Sequence, residues 1–91
     1  MSFKYRIVIT EHAKNDLHSL EKDIASRIIK KLRYFESNEN PLKYAEPLKA
    51  PFQGKYRFRI GEYRVIFILE PYGRITILFV LNIRHRRDVY K

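Results

Sequence analysis

Phe3, Tyr5, Ile7 and Ile9 fall on one side of an extended segment, the alternation of a half-buried strand. The period then lengthens. Ala13, Leu17 and Leu20 recur at helical spacing, and after Glu21-Lys22-Asp23 a second series follows with Ile24, Ile28, Leu32 and Phe35. Thr10 suits the cap of the first helix, because its hydroxyl can accept an unpaired backbone N–H, and Glu11 favours the positive end of the helix dipole. A helical hairpin is therefore expected directly after the first strand. Its second arm should stop near Ser37-Asn38-Glu39-Asn40-Pro41, a cluster of turn formers ending in a residue that disfavours helix before it.

From Pro41 to Gly54 the pattern predicts an irregular connection, and beyond it the chain is rich in strands. Residues 55–60, 63–69 and 75–81 form three extended runs, separated by Gly61-Glu62 and by Glu70-Pro71-Tyr72-Gly73-Arg74. A glycine at the first central position is what a two-residue type II′ hairpin turn needs. The order is β-α-α-β-β-β in one domain over residues 1–91. The simplest arrangement is an α+β fold, a small antiparallel twisted sheet packed against the N-terminal helical hairpin.

The hairpin turn predicts a register. With Gly61-Glu62 as the loop, Ile60 faces Tyr63, Arg59 faces Arg64 and Arg57 faces Ile66. Arg57, Arg59 and Arg64 then share one face, while Tyr56, Phe58, Ile60, Val65 and Phe67 take the other and pack on the helices. Directly opposed like charges destabilise a sheet, so this pairing calls for a compensating anion. Glu62 and Glu70 fall at turns, where neither is placed to neutralise the cluster.

Charge strengthens the picture. The chain of 91 residues carries a net charge of +9, with nine Lys/Arg against seven Asp/Glu over residues 1–48 and ten against three over residues 49–91. An anionic partner is expected at the C-terminal half, nucleic acid first, since clustered cations displace counterions from phosphates. An acidic protein satisfies the same field. The last strand runs into Asn82-Ile83-Arg84-His85-Arg86-Arg87-Asp88-Val89-Tyr90-Lys91, which adds three arginines, a tyrosine and His85, whose imidazole can take a proton near neutrality.

Several functions are excluded or disfavoured. There is no cysteine, hence no disulfide framework or zinc-thiolate site. His12 and His18 do not share a helix face, and with His85 they make no metal-ligand spacing, so no metal and no cofactor is expected. The four serines lie in no nucleophile motif, and the three glycines form no phosphate-cradling loop. No apolar run approaches the roughly 18 residues of a membrane span, and the start lacks the apolar stretch of a signal peptide. A soluble cytoplasmic protein is expected.

The segment Leu48-Lys49-Ala50-Pro51-Phe52-Gln53-Gly54-Lys55-Tyr56-Arg57-Phe58-Arg59-Ile60-Gly61-Glu62-Tyr63-Arg64-Val65-Ile66-Phe67, followed by His85-Arg86-Arg87-Asp88-Val89-Tyr90, resembles the RelE/ParE toxins. The resemblance spans essentially the whole chain and leans to the RelE branch. It implies a toxin of a type II toxin–antitoxin system, a metal-independent endoribonuclease that cleaves mRNA in the ribosomal A site. It also implies an acidic cognate antitoxin that folds on binding, and a toxin–antitoxin hetero-oligomer. Positions that carry over as catalytic are Arg57, Arg59, Arg64, Arg84 and Tyr90, with His85 the natural base where the best-studied branch uses lysines. Arginine is effectively always protonated and a poor base. Lys49, Lys55, Arg86 and Arg87 are expected to bind RNA. The rival readings are a ParE-like DNA gyrase inhibitor without nuclease activity and a non-catalytic RNA-binding domain.

Overall fold

Thr10 marks the point where strand gives way to helix. In the computed structural model, which describes residues 4–88, its hydroxyl accepts the Ala13 backbone N–H at 3.3 Å, the capping bond anticipated above. Before it lies β1 (Tyr5–Ile9) and after it α1 (Glu11–His18) and α2 (Lys22–Glu36). Phe3, assigned to the first strand on pattern, lies outside the described residues. The second helix ends at Ser37 as expected, and Pro41–Tyr44 forms a single 3-10 turn capped by the Asn40 side chain.

The remaining strands are β2 (Ala45–Pro47), β3 (Lys55–Ile60), β4 (Tyr63–Tyr72) and β5 (Ile75–His85). All five join one sheet in the order β1-β5-β4-β3-β2. The fold is α+β, and the β3–β4 hairpin has the anticipated register, Ile60 facing Tyr63, Arg59 facing Arg64 and Arg57 facing Ile66. Gly61 takes φ +59 and no non-glycine residue described has positive φ, the pattern of a type II′ turn.

Three features differ from the sequence reading. β1 pairs with β5 in parallel, so the sheet is mixed; the helices and the other strands between them act as the long crossover that a parallel pair requires. The segment expected to be irregular contributes the edge strand β2, too short to show a period. The β4–β5 connection is a two-residue Gly73-Arg74 turn, because the strands extend to Tyr72 and start at Ile75. Pro71 is tolerated there: β3 ends its pairing at Ile68, so no neighbour on that side requires the missing N–H.

One irregularity matters for the site. Phe67 pairs with Val80 but Ile66 pairs with Asn82, so Leu81 is an extra, bulged residue in β5. β1 ends at the same level, leaving the edge of β5 open. Helix α1 closes it: the Thr10 hydroxyl donates to the Val80 carbonyl at 2.7 Å, and the Asp16 Oδ2 accepts the Ile83 N–H at 2.9 Å.

Both helices cover one face of the sheet. Ala13, Leu17, Ile28, Leu32 and Phe35 meet Ile7, Phe58, Ile60, Val65, Phe67, Leu78, Val80 and Ile83 in a single core. Rings run through it: Phe58 lies 4.5 Å from both Phe35 and Phe67, and Phe35 stacks on Tyr44 at 4.8 Å. No described helix is long and apolar enough to cross a membrane.

Candidate functional site

The face of the sheet turned away from the helices carries the charge. Across β3, β4 and β5 the registers align Arg59, Arg64 and Arg84 as three guanidinium-bearing residues side by side. The next row holds Glu46, Arg57, Ile66 and Asn82. After β5 a 3-10 turn, Arg86–Asp88, folds back on the hairpin: the Arg86 N–H donates to the Glu62 carbonyl at 2.7 Å, and the two side chains form an ion pair at 2.7 Å. Arg57, Arg59, Arg64, Arg86 and Arg87 thereby line one open concavity of about 390 Å³.

Arg64 is the pivot of this surface. It is only 7% exposed, the one buried charged residue described. Its Nη1 donates to the Gly61 and Tyr63 carbonyls at 3.1 and 3.0 Å, tying the side chain to its own hairpin. Those bonds use one nitrogen of a five-donor fork, and among the described residues the remaining N–H groups have no hydrogen-bond partner. Burial, and then the guanidiniums of Arg59, Arg57 and Arg86, lower the Arg64 pKa from its ordinary value, with Glu62 partly offsetting them. A held cation surrounded by like charges is a site that an anion relieves.

Two carboxylates moderate the cluster, contrary to the expectation that none would. Glu46, on the unforeseen strand β2, pairs with Arg57 at 3.1 Å, and Glu62 reaches Arg86 because the terminal turn bends towards it. Glu70 lies further along the sheet, beside Ile77. Arg59 is exposed and forms no ion pair among the described residues. Replacing it with glutamine is expected to raise stability by roughly 0.2–1 kcal/mol, since the charge opposite Arg64 is removed. The same variant should bind a short RNA more weakly. Urea unfolding beside RNA titration checks both signs, and a loss of stability would contradict the repulsion argument.

The bulge at Leu81 decides which C-terminal residues join the site. With it, Ile83 points into the core, Arg84 falls on the arginine face and His85 pairs with Tyr63 on the face of the core. Arg84 extends the row without lining the concavity. The His85 ring sits edge-on to Tyr63 at 5.4 Å, and its Nδ1 accepts the Arg87 backbone N–H at 3.3 Å. That bond assigns the proton of the neutral imidazole to Nε2. His85 is thus next to the cluster in the chain but outside its concavity.

Lys55 lies on the arginine face, one row beyond Arg57, opposite Ile68; Lys49 is exposed in the preceding loop. Tyr90 lies outside the described residues. Among those described, no three His, Cys, Asp or Glu side chains are grouped to hold a metal. Two other concavities, of about 430 and 500 Å³, lie at the free edge of β1 and on α2. The first closes on an edge already protected, where Glu36 accepts the Ile7 N–H at 2.7 Å.

Comparison with known proteins bears on the family and the fold. The model of the family described as ParE toxin of type II toxin-antitoxin system, parDE, matches residues 7–90. Toxin RelG of Mycobacterium tuberculosis is 26% identical over 87 residues, covering 96% of this chain and 97% of that protein. Among solved structures, the RelBE2 toxin–antitoxin complex of M. tuberculosis aligns with a TM-score of 0.71 at 24% identity, covering 91% of this chain and 99% of that one. The RelE–RelB complex of Pyrococcus horikoshii aligns with a TM-score of 0.65 at 24% identity, over 94% and 99%. Because the match takes in nearly all of the chain, from the middle of β1 past the arginine-bearing terminal turn, the chain belongs to the ParE toxin family and is a type II toxin of the RelE/ParE superfamily.

Proposed function

We propose that the arginine face holds a phosphodiester of mRNA and promotes its cleavage on the ribosome, without a metal. The row of Arg59, Arg64 and Arg84 carries this reading, since like charges side by side across one sheet destabilise it and an anion held on them relieves that repulsion. In the reaction the ribose 2′-OH gives up its proton and its oxygen bonds to the adjacent phosphorus. The bond from phosphorus to the 5′-oxygen breaks, leaving a cyclic phosphate and a 5′-OH that takes a proton.

Arg57, Arg59 and Arg64 stabilise the charge that builds on the phosphate, and Arg84 or Arg86 orients it or assists the leaving oxygen. His85 is assigned the proton acceptor, with Tyr90 the alternative. In this role His85 exchanges its Nδ1 bond to Arg87 for one to the substrate. General acid–base help contributes typically about 10²- to 10⁴-fold, so the rest comes from these charges and from the ribosome aligning the message. Lys49, Lys55 and Arg87 bind the flanking RNA. The protein acts in the cytoplasm, and an acidic antitoxin that folds on binding neutralises it in a hetero-oligomer.

The test is to map transcript ends in a translating extract with purified protein. New 5′-OH ends and cyclic phosphates are expected, and His85→Ala should slow their appearance by about 10²-fold or more. An undiminished rate removes His85 from the reaction. The match to the ParE family model supports a second reading, the inhibition of DNA gyrase that resemblance to the ParE branch implies. Loss of supercoiling activity in a gyrase assay, with intact transcripts, would replace the nuclease.

A further inference from the structure

Past Val80, β5 runs without a strand on one side. Ile9 is the last residue of β1 to pair, opposite Val80, and from Leu81 to His85 only β4 lies beside β5 in the sheet. Two staples from α1 and its cap close that edge, one on each side of the bulge. The Thr10 hydroxyl bonds the Val80 carbonyl before it, and the Asp16 carboxylate accepts the Ile83 N–H at 2.9 Å after it. Asp16 stands next to buried Leu17 and one turn from buried Ala13, so the helix face that packs on the core also aims it at β5. His12 Nε2 approaches the same carboxylate oxygen only to 3.9 Å and its side chain is 67% exposed against 28% for Asp16, so the backbone N–H has the stronger hold on it.

We infer that Asp16 is a positioning residue of the arginine site: it clamps the bulged end of β5 and so keeps Arg84 in line with Arg59 and Arg64. The inference rests on the reading of that face as a phosphate site, and names the residue outside it that sets its third cation. The line needs a clamp. Arg84 lies directly opposite Arg64, and like charges so paired push their strands apart. The bulge disrupts the ladder just before them. Further on, Arg86 ties the chain to Glu62, so Arg84 lies between two anchors, and the Arg86–Glu62 ion pair is the more exposed of the two. A carboxylate that accepts a backbone N–H makes a stronger bond than a neutral acceptor does. Without it the Ile83 N–H loses its partner, β5 opens at the bulge and Arg84 leaves the row. The sign of the effect separates position from charge. Asp16 is negative, so if its field were all that mattered, removing it would tighten the binding of an anion. Loss of position weakens it.

The experiment is a double-mutant cycle on the binding of a labelled single-stranded RNA at about 0.15 M salt. Arg84→Gln alone should weaken binding by at least about fivefold, and Asp16→Ala by a similar factor. Within Asp16→Ala, adding Arg84→Gln should change the affinity by less than about twofold, because the arginine has already left the row. Asp16→Asn keeps an acceptor oxygen in place and should bind at least as tightly as the parent. Thr10→Val removes the staple on the other side of the bulge together with the helix cap. Its melting temperature should fall, yet its affinity should stay within about twofold of the parent and the Arg84→Gln effect should remain whole. Alanine is a better helix former than aspartate, which offsets part of the lost bond, and binding is measured below the melting range of every variant. Asp16→Ala that binds RNA as the parent does or tighter, an Arg84→Gln effect undiminished within it, or an Asp16→Asn protein weaker than the parent overturns the inference. So does a Thr10→Val protein that reproduces Asp16→Ala, since loosening of α1 then explains both, and so does an Arg84→Gln protein that binds as the parent does, since nothing is then positioned. The same cycle is run with pyrophosphate in place of RNA. A chain that shows the coupling with pyrophosphate and neither binds nor cuts RNA keeps Asp16 in this role and loses the nuclease reading. A chain that cuts mRNA while the two substitutions act additively keeps the nuclease reading and loses this inference.

Discussion

Replacing Arg64 with alanine is expected to slow mRNA cleavage by about 10²- to 10³-fold, the range seen when one preorganised donor to developing charge is removed. The other cations of the site are exposed or shared with carboxylates. Arg57 meets Glu46, Arg86 meets Glu62, and Arg59 and Arg84 face solvent. Arg64 alone is buried and fixed by two backbone carbonyls, so on the proposed reading it would meet a phosphate without first losing side-chain freedom. Its lowered pKa has a definite sign for stability. A basic group whose charged form is disfavoured by the fold weakens the fold wherever it is protonated, which includes neutral pH, and a bound anion lifts that penalty. Pyrophosphate at ten times its Kd should therefore stabilise the parent by about 1.4 kcal/mol, and should stabilise Arg64→Ala much less. Arg64→Lys keeps a charge but not the planar fork, and is expected to recover little of the rate. Single-turnover cleavage on programmed ribosomes and thermal melts with and without pyrophosphate measure both effects. An Arg64→Ala protein that cuts at the parent rate would remove the charge-stabilising role from the hairpin.

The meeting of Arg59 and Arg64 was legible because a glycine in a two-residue loop sets the register of a hairpin, and register sets the face. The membership of Arg84 and His85 was not legible in the same way. Plain alternation from Val80 would send Arg84 inward and His85 to the arginine face; the bulge at Leu81 reverses both. No local signal marks that bulge. Its position follows from where β1 stops and α1 begins to bond the edge of β5, through Thr10 and Asp16, about 70 residues away in the chain. Glu46 was missed for a related reason. Three residues cannot show a period, so the ion pair that moderates Arg57 was hidden inside a segment that reads as a loop. Local chemistry and turn type were readable, whereas whatever depended on a distant partner strand was not.

Truncating Phe58 to alanine is expected to cost about 3–5 kcal/mol, the usual range for a large ring removed from a packed core. Phe58 is 0% exposed and its ring sits between Phe35 of α2 and Phe67 of β4, each 4.5 Å away, so neither neighbour can close the gap without leaving its own contacts. A domain of this size is held by only about 5–15 kcal/mol, so the loss is a large part of the whole. The position also bears on function. Phe58 stands between Arg57 and Arg59 in β3 and pins from behind the strand that carries these two arginines on its outer face. Urea unfolding should show a lower midpoint with an unchanged slope, as expected when stability falls and the surface exposed on unfolding does not. Phe58→Leu, which keeps most of the volume, should cost far less. At temperatures where the alanine variant stays folded, RNA binding should weaken only as far as β3 loosens, and pyrophosphate should restore part of the stability. A midpoint within experimental error of the parent would mean that the ring stack does not anchor the sheet to α2, and that the arginine face is held by the hairpin turn alone.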